Sequence, residues 1–179
     1  MTEGRPFSRV VRVDAIPREG QTVTIEAAPA EREALASFYD LPAVAALTAT
    51  LRLEPWGRGG AQVTGAVHGA LTQICVVSLE PFPATVDEAV DVRFAPETAP
   101  ESRPQSAKEP LTLSLADEDE PDPVIDGKID LGALAAEFFA LGLDPYPRKP
   151  GVTFEQSTKS APVDSPFSAL AKRVKPESD

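Results

Sequence analysis

Alternation of apolar and polar residues in the first half of the chain is the feature that most constrains its fold. From residue 61 to residue 71 every second position is apolar or glycine, and this two-residue period predicts a half-buried strand over residues 61–73. Glycines inside such a strand indicate a bulge or a close approach of another part of the chain. The positions on this face are Val63, Gly65, Val67, Gly69 and Leu71. Similar strand patterns span residues 7–13, 21–26, 48–54 and 90–94. The chain before residue 96 is therefore expected to consist mainly of strands.

Local signals predict the turns and helices. The glycine-rich residues 56–60 predict a hairpin turn. A first helix is expected at about residues 30–39, because Glu31 and Glu33 suit the positive end of a helix dipole. A second helix is expected after Asp130, which can cap it. Its predicted core-facing stripe is Leu131, Leu134, Ala135, Phe138 and Leu141.

Residues 96–126 interrupt this pattern with an acidic, proline-rich stretch. They contain nine acidic residues, two basic residues and six prolines, a composition that buries too little apolar surface to offset the entropy of ordering. We interpret the stretch as a self-repelling loop, with at most one short edge strand at residues 111–115. Two roles stay open for it: a solvated linker, or a mimic of nucleic acid toward a basic partner such as a ribosomal protein.

The polar tail, residues 155–179, contains one amphipathic segment. Ser165 can cap a helix and Pro166 suits its first position, so we predict a short helix over residues 166–174. Two roles stay open: a docking peptide that lies in a partner's groove, or a terminal helix that covers the chain's own sheet. The apolar face carries Phe167, Leu170 and Val174, and the basic end carries Lys172, Arg173 and Lys175.

Composition excludes several classes of site. With 17 basic and 28 acidic residues the formal net charge is −11. A single cysteine excludes an internal disulfide framework, and a single histidine excludes a multi-histidine metal site. No apolar run approaches the ~18 residues of a membrane span, and the N-terminus shows no secretory pattern. We therefore expect a cytoplasmic protein that binds no membrane.

No catalytic motif is recognisable. The nucleophile-elbow, phosphate-loop, dinucleotide-binding and zinc-protease patterns are absent. Cys75 and His68 are seven residues apart on one predicted strand, so their side chains should point to opposite faces. We expect a small buried thiol, a histidine in water, no catalytic residue, no metal and no cofactor.

Binding to nucleic acid by charge alone is not favoured either. Neutralising phosphates needs clustered lysine and arginine, whereas this chain is acidic. The exceptions are the tail helix and an N-terminal group of arginines that includes Arg9 and Arg12. Each group is either a solvated face or a place of local RNA contact.

Three stretches together resemble the YceD family of bacteria and plastids, the large ribosomal RNA subunit accumulation proteins. Residues 65–81 resemble the family's glycine-containing strand and its Cys-x-x-Cys-Leu-Glu-Pro turn, with Cys75 at the first cysteine and Ser78 in place of the second. Residues 129–151 resemble its helix with a proline-rich exit, and residues 165–172 its Asn-Pro-Phe ending. The variant found here is similar to an alphaproteobacterial branch. Some members are called metal-binding, but one cysteine and one distant histidine cannot supply about four zinc ligands.

The resemblance implies a non-enzymatic factor for 23S rRNA accumulation and assembly of the large ribosomal subunit. We expect it to act through protein contacts, with a ribosomal protein or pre-ribosomal particle as partner, and through limited rRNA contact. The expected contact residues are Phe167, Leu170, Lys172 and Arg173, with Arg9 and Arg12 as second choice. The alternative is a small-molecule-binding or hydrolytic β-barrel domain, which a deep apolar pocket would favour.

The expected fold class is α+β. It consists of an antiparallel sheet of about five or six strands that could curl toward a barrel, two packed helices and a short C-terminal helix. Residues 1–154 form a single domain in this prediction, interrupted by the loop 96–126 and followed by the tail.

Overall fold

The computed structural model describes residues 5–96 and 121–153. All its helices and strands lie in the first of two compact units, residues 1–149; of the second, residues 150–179, only 150–153 are described. In chain order the elements are β1 (Val10–Arg12), a 3-10 turn (Val13–Ala15), β2 (Gln21–Glu26), α1 (Pro29–Phe38), β3 (Ala43–Trp56), β4 (Gly60–Ile74), β5 (Pro81–Pro96), β6 (Asp122–Val124), β7 (Lys128–Asp130) and α2 (Leu131–Leu141).

Three long antiparallel strands, β3, β4 and β5, form the centre of the fold. The predicted hairpin turn is confirmed, with Trp56 paired to Gly60 across it. The predicted face of β4 is also confirmed, because Val63, Val67 and Leu71 are buried. At Gly65 a side chain would lie 2.1 Å from the Thr50 carbonyl oxygen of β3. The glycine therefore permits a close approach of two backbones.

The main sheet has the order β2-β3-β4-β5-β6. The predicted antiparallel pairing is correct for β2 to β5, whereas β6 pairs parallel to the end of β5. Within the described residues β2 and β6 are its two edges, so the sheet is open and the expected curl toward a barrel is not confirmed. The acidic loop predicted over residues 96–126 is wrong at its end, because residues 122–124 form β6.

A separate two-stranded sheet pairs β1 with β7. The predicted strand over residues 7–13 is wrong except for Val10–Arg12, because the residues before β1 are fixed by other contacts. Phe7 is 1% exposed and belongs to the core, and the Arg9 N–H donates to the Asp130 carboxylate at 2.7 Å. The N-terminal segment is thereby bound to the start of α2.

The two helices confirm the predicted pair, and neither is long and apolar enough to cross a membrane. Asp130 caps α2 as expected, accepting hydrogen bonds from the N–H groups of Gly132 and Ala133. The predicted stripe of α2 is partly wrong: Phe139 is fully buried, whereas Leu141 is 70% exposed. The cause lies on the sheet, where a methyl group at Gly69 would be 2.5 Å from the Phe139 ring. Gly69 leaves the space that this ring fills.

Candidate partner-binding groove

A groove of about 700 Å³ lies beside α2, bordered by β1, β7, the end of α1 and β6. Its floor consists of core side chains, among them Phe7, Phe94 and Leu134, which are all less than 9% exposed. Three large apolar side chains stand at its walls and remain open to solvent. They are Val10, Phe38 and Ile125, which are 57%, 68% and 64% exposed.

The small residues on one face of α2 create the space for the groove. Ala133, Ala136, Glu137 and Ala140 line it, and their spacing of three, four and seven residues places them on one side of a helix. The larger apolar residues Leu131 and Phe139 are buried elsewhere in the core. Because alanine ends at Cβ, this side of α2 fills little volume.

A tight turn between β6 and β7 carries Ile125 to the groove wall. Asp126 and Gly127 have φ angles of 52° and 69°, and the Lys128 N–H donates to the Ile125 carbonyl at 2.9 Å. Positive φ at both central residues is the geometry that Asp-Gly favours in hairpins. Sequence reasoning missed this turn, although Asp126-Gly127 is its usual signal.

Asp130 stands at the end of the groove with a full set of donors. Its carboxylate accepts from the Ser8 hydroxyl and the Arg9 N–H, both at 2.7 Å, besides the two N–H groups of α2. Burial raises the pKa of Asp130, but these hydrogen bonds outweigh it and leave the pKa below its usual value. Asp130 is therefore an ionised structural residue, with Arg5 at 3.6 Å.

The remaining charges at the groove are mostly negative. Asp122, Asp126 and Glu137 line it together with one further cation, Lys128. None of these four side chains forms an ion pair with another residue of the described ranges. With Arg5 and Asp130 included, four carboxylates face two cations.

The predicted contact residues Arg9 and Arg12 are both engaged inside the chain. Arg9 binds the Glu31 carboxylate through two nitrogens, at 2.6 and 2.8 Å, and lies over the Phe7 ring. This bond raises the pKa of Arg9 and lowers that of Glu31. Arg12 pairs with Asp14 at the surface. The other predicted contact residues, Phe167, Leu170, Lys172 and Arg173, lie outside the described residues.

The turn between β4 and β5 surrounds a buried thiol. Cys75 is 0% exposed, and its Sγ accepts a hydrogen bond from the Ser78 N–H at 3.4 Å. The Ser78 hydroxyl and then backbone N–H groups, including that of Lys149, lower the pKa of Cys75 to about 6. Lys149 Nζ in turn lies 2.8 Å from the Glu80 carboxylate. The turn is thus closed by a hydrogen-bonded sulfur and an ion pair.

These residues offer neither a Cys–His dyad nor a zinc site. The prediction for the pair is confirmed: Cys75 is buried, whereas His68 lies in solvent and hydrogen-bonds Asp87. The residue that hydrogen-bonds the Cys75 sulfur is Ser78, which carries a hydroxyl and not a second thiolate. In residues 5–96 and 121–153 no group of three or more His, Cys, Asp or Glu side chains is placed to hold a metal ion.

A sequence model of the family described as large ribosomal RNA subunit accumulation protein YceD matches residues 63–174. The matched range begins in β4, passes through β5, β6 and β7 and includes α2. It covers more than half of the 179 residues. No match was found among curated proteins or among solved structures.

Proposed function

Because the chain belongs to the YceD family, we propose that it promotes the accumulation of 23S rRNA and the assembly of the large ribosomal subunit. The observation that carries the proposal is the family match over residues 63–174. The chain acts as a non-enzymatic factor in the cytoplasm, through contacts with a ribosomal protein or pre-ribosomal particle and through limited contact with rRNA.

The charge distribution supports contacts with protein more than contacts with RNA. The chain has a formal net charge of −11, and phosphates are bound by clustered cations. Two of the arginines closest to the N-terminus, Arg9 and Arg12, are already bound to carboxylates. Ribosomal proteins that bind rRNA must neutralise phosphates and so present basic surfaces, which an acidic chain attracts.

The amphipathic segment of the tail supplies the expected contact. Its apolar residues Phe167 and Leu170 would pack on the partner, and the basic residues Lys172 and Arg173 would face acidic groups or rRNA. Arg9 and Arg12 are second choices, since each would have to exchange a carboxylate partner within the chain.

Sedimentation of cell extracts in sucrose gradients tests the proposal. We expect the protein to co-sediment with free precursors of the large subunit, and its depletion to lower 23S rRNA relative to 16S rRNA. A protein found only at the top of the gradient, with an unchanged rRNA ratio on depletion, would contradict the proposal. Screening for small-molecule ligands would then follow, as the alternative of a ligand-binding domain requires.

A pair of matched variants tests the tail in the same gradients. Phe167→Ala with Leu170→Ala should remove the protein from the precursor fractions. The control, Leu79→Ala with Tyr146→Ala, alters two side chains that are 75% and 72% exposed elsewhere on the chain and should sediment like the wild type. Normal sedimentation of the Phe167 and Leu170 variant would contradict the role of the tail.

A further inference from the structure

The groove beside α2 exposes apolar surface to solvent, and a partner could cover this surface. Val10 of β1, Phe38 of α1 and Ile125 of the turn between β6 and β7 are each more than half exposed and line the same groove. Single exposed apolar residues are ordinary, but a contiguous apolar patch commonly marks an interaction site.

The buried polar groups of the groove already have hydrogen-bond partners, which disfavours a small polar ligand. The Tyr39 hydroxyl donates to the Ala136 carbonyl at 2.8 Å, and Asp130 accepts from four donors. In the described ranges every buried side-chain nitrogen and oxygen has a hydrogen-bond partner. A small-molecule site usually has a few convergent polar groups that fix the ligand, so the groove suits an apolar contact instead.

The charges at the rim define the chemistry of the occupant. Three carboxylates that line the groove, those of Asp122, Asp126 and Glu137, form no ion pair with another described residue. Lys128 is the one cation of the lining for which the same is true within the described residues. A polyanion would be repelled here, whereas lysine and arginine side chains would be attracted. The complementary occupant combines large apolar side chains with positive charge.

We propose that this groove binds a basic polypeptide segment of a partner protein. Large apolar side chains of the segment pack on Val10, Phe38 and Ile125, and its lysines and arginines face the three carboxylates of the rim. The inference rests on the proposed function, which makes a basic ribosomal protein the partner, and adds the surface on which that partner docks.

A fluorescent peptide provides the direct test on the full chain. The probe is a synthetic helix former of about 18 residues with leucine at every third or fourth position and lysine elsewhere. Its matched control has glutamate in place of lysine. We expect anisotropy titrations to show binding of the lysine peptide, weakened by salt, and no binding of the glutamate peptide.

Two sets of variants locate the binding. Phe38→Ala with Ile125→Ala should weaken the lysine peptide about tenfold, whereas Leu79→Ala with Tyr146→Ala should not. The combination Asp122→Asn, Asp126→Asn and Glu137→Gln should weaken binding several-fold and reduce its dependence on salt. A control with the same change of charge is Glu19→Gln, Glu26→Gln and Glu33→Gln, three exposed residues outside the groove.

Several results would overturn the proposal. Equal binding of both peptides, or an affinity unchanged by the groove variants, would exclude recognition by the groove. Displacement of the peptide by single-stranded RNA with a higher affinity would assign the surface to RNA. Tighter peptide binding by Phe167→Ala with Leu170→Ala in the full chain would indicate that the chain's own tail segment is the occupant.

Complementation separates this inference from the proposed function. If depletion lowers 23S rRNA and the groove variants restore it fully, the groove proposal fails and the proposed function stands. If depletion leaves 23S rRNA unchanged, the proposed function fails whatever the peptide binds. Restoration by the Glu19, Glu26 and Glu33 variant but not by the groove variants supports both.

Discussion

Helix α2 has two sides that differ in how completely they are packed. On the side toward the sheet, Leu131, Ala135 and Phe139 are fully buried, and the Phe139 ring occupies the space above Gly69. On the side toward the groove, Ala133, Ala136 and Ala140 line the same groove as the exposed side chains Phe38 and Ile125. The first side determines the stability of the fold. The second side leaves exposed side chains, Phe38 and Ile125 among them, that can change without loss of the core.

The largest expected effect is on the side that faces the sheet. Phe139→Ala should lower the free energy of unfolding by about 3–5 kcal/mol, because it empties a fully buried position. Gly69→Ala should also destabilise, since its methyl group would overlap the ring. Denaturation in urea measures both. Gly69→Ala combined with Phe139→Leu should cost less than the sum of the two single changes; strict additivity would contradict the contact.

The same substitution on both sides of α2 tests the comparison directly. Ala135→Leu overfills a site that is 0% exposed and should cost about 1–3 kcal/mol. Ala140→Leu, on the groove side, should change the free energy of unfolding by no more than about 0.5 kcal/mol, because alanine and leucine have similar helix propensities. Equal losses in thermal or urea unfolding would mean that the two sides do not differ. Ala140→Leu should also narrow the groove and weaken the lysine peptide.

Asp130 is the N-cap residue of α2 and precedes both of its sides. Asp130→Ala should lower the free energy of unfolding by about 1–2 kcal/mol, because the cap of α2 is lost. Asp130→Asn is the matched control, since asparagine also caps helices, and it should retain most of the stability at neutral pH.

The pH dependence of stability distinguishes the charge of Asp130 from its cap. The pKa of Asp130 is lower in the folded chain than its usual value, so the unfolded chain binds more protons. Its stabilisation is complete above the usual pKa of about 4 and is lost as the pH falls through the lower folded pKa. Both Asp130 variants should therefore lose less stability on acidification than the wild type. If Asp130→Asn lost as much stability on acidification as the wild type, this interpretation would be contradicted.

The smallest effect is expected at the groove wall. Phe38→Ala should change the free energy of unfolding by no more than about 0.5 kcal/mol, because its side chain is 68% exposed. The neighbouring change Tyr39→Phe removes the bond to the Ala136 carbonyl and should cost about 1 kcal/mol. Thermal unfolding compares the two. A larger loss for Phe38→Ala would place Phe38 in the core and close the groove to a partner.

Local signals predicted the parts of the fold that depend on neighbouring residues. The bounds of β2, the hairpin after Trp56 and the cap of α2 by Asp130 all follow from residues close in the sequence. The exposed position of Leu141 could not be predicted in this way. Phe138 and Phe139 are both apolar and adjacent, and the choice between them is made by Gly69, which is 70 residues away in the sequence.

The groove was missed for a similar reason. Its walls come from parts of the chain that are distant in the sequence. The alanines of α2 occur on both its buried side and its groove side, so apolar periodicity does not distinguish the two. The ion pair between Arg9 and Glu31 joins residues 22 positions apart. The sequence pattern therefore predicts Arg9 as a cation available to a partner. The turn at Asp126-Gly127 is the exception, because it has a local signal that begins at the last residue of the stretch, 96–126, whose composition predicts a loop.

The parallel pairing of β6 with β5 has a consequence for the length of the chain between them. Antiparallel neighbours can be joined by two residues, whereas parallel neighbours need a connection of about a dozen or more. This chain has 25 residues between Pro96 and Asp122. Doubling the length of a loop costs only about 0.6 kcal/mol of closure entropy, so the sheet tolerates the extra residues of this connection. Roughly half of the connection therefore exceeds what the topology requires, and the sheet places no demand on the amino acids in that half.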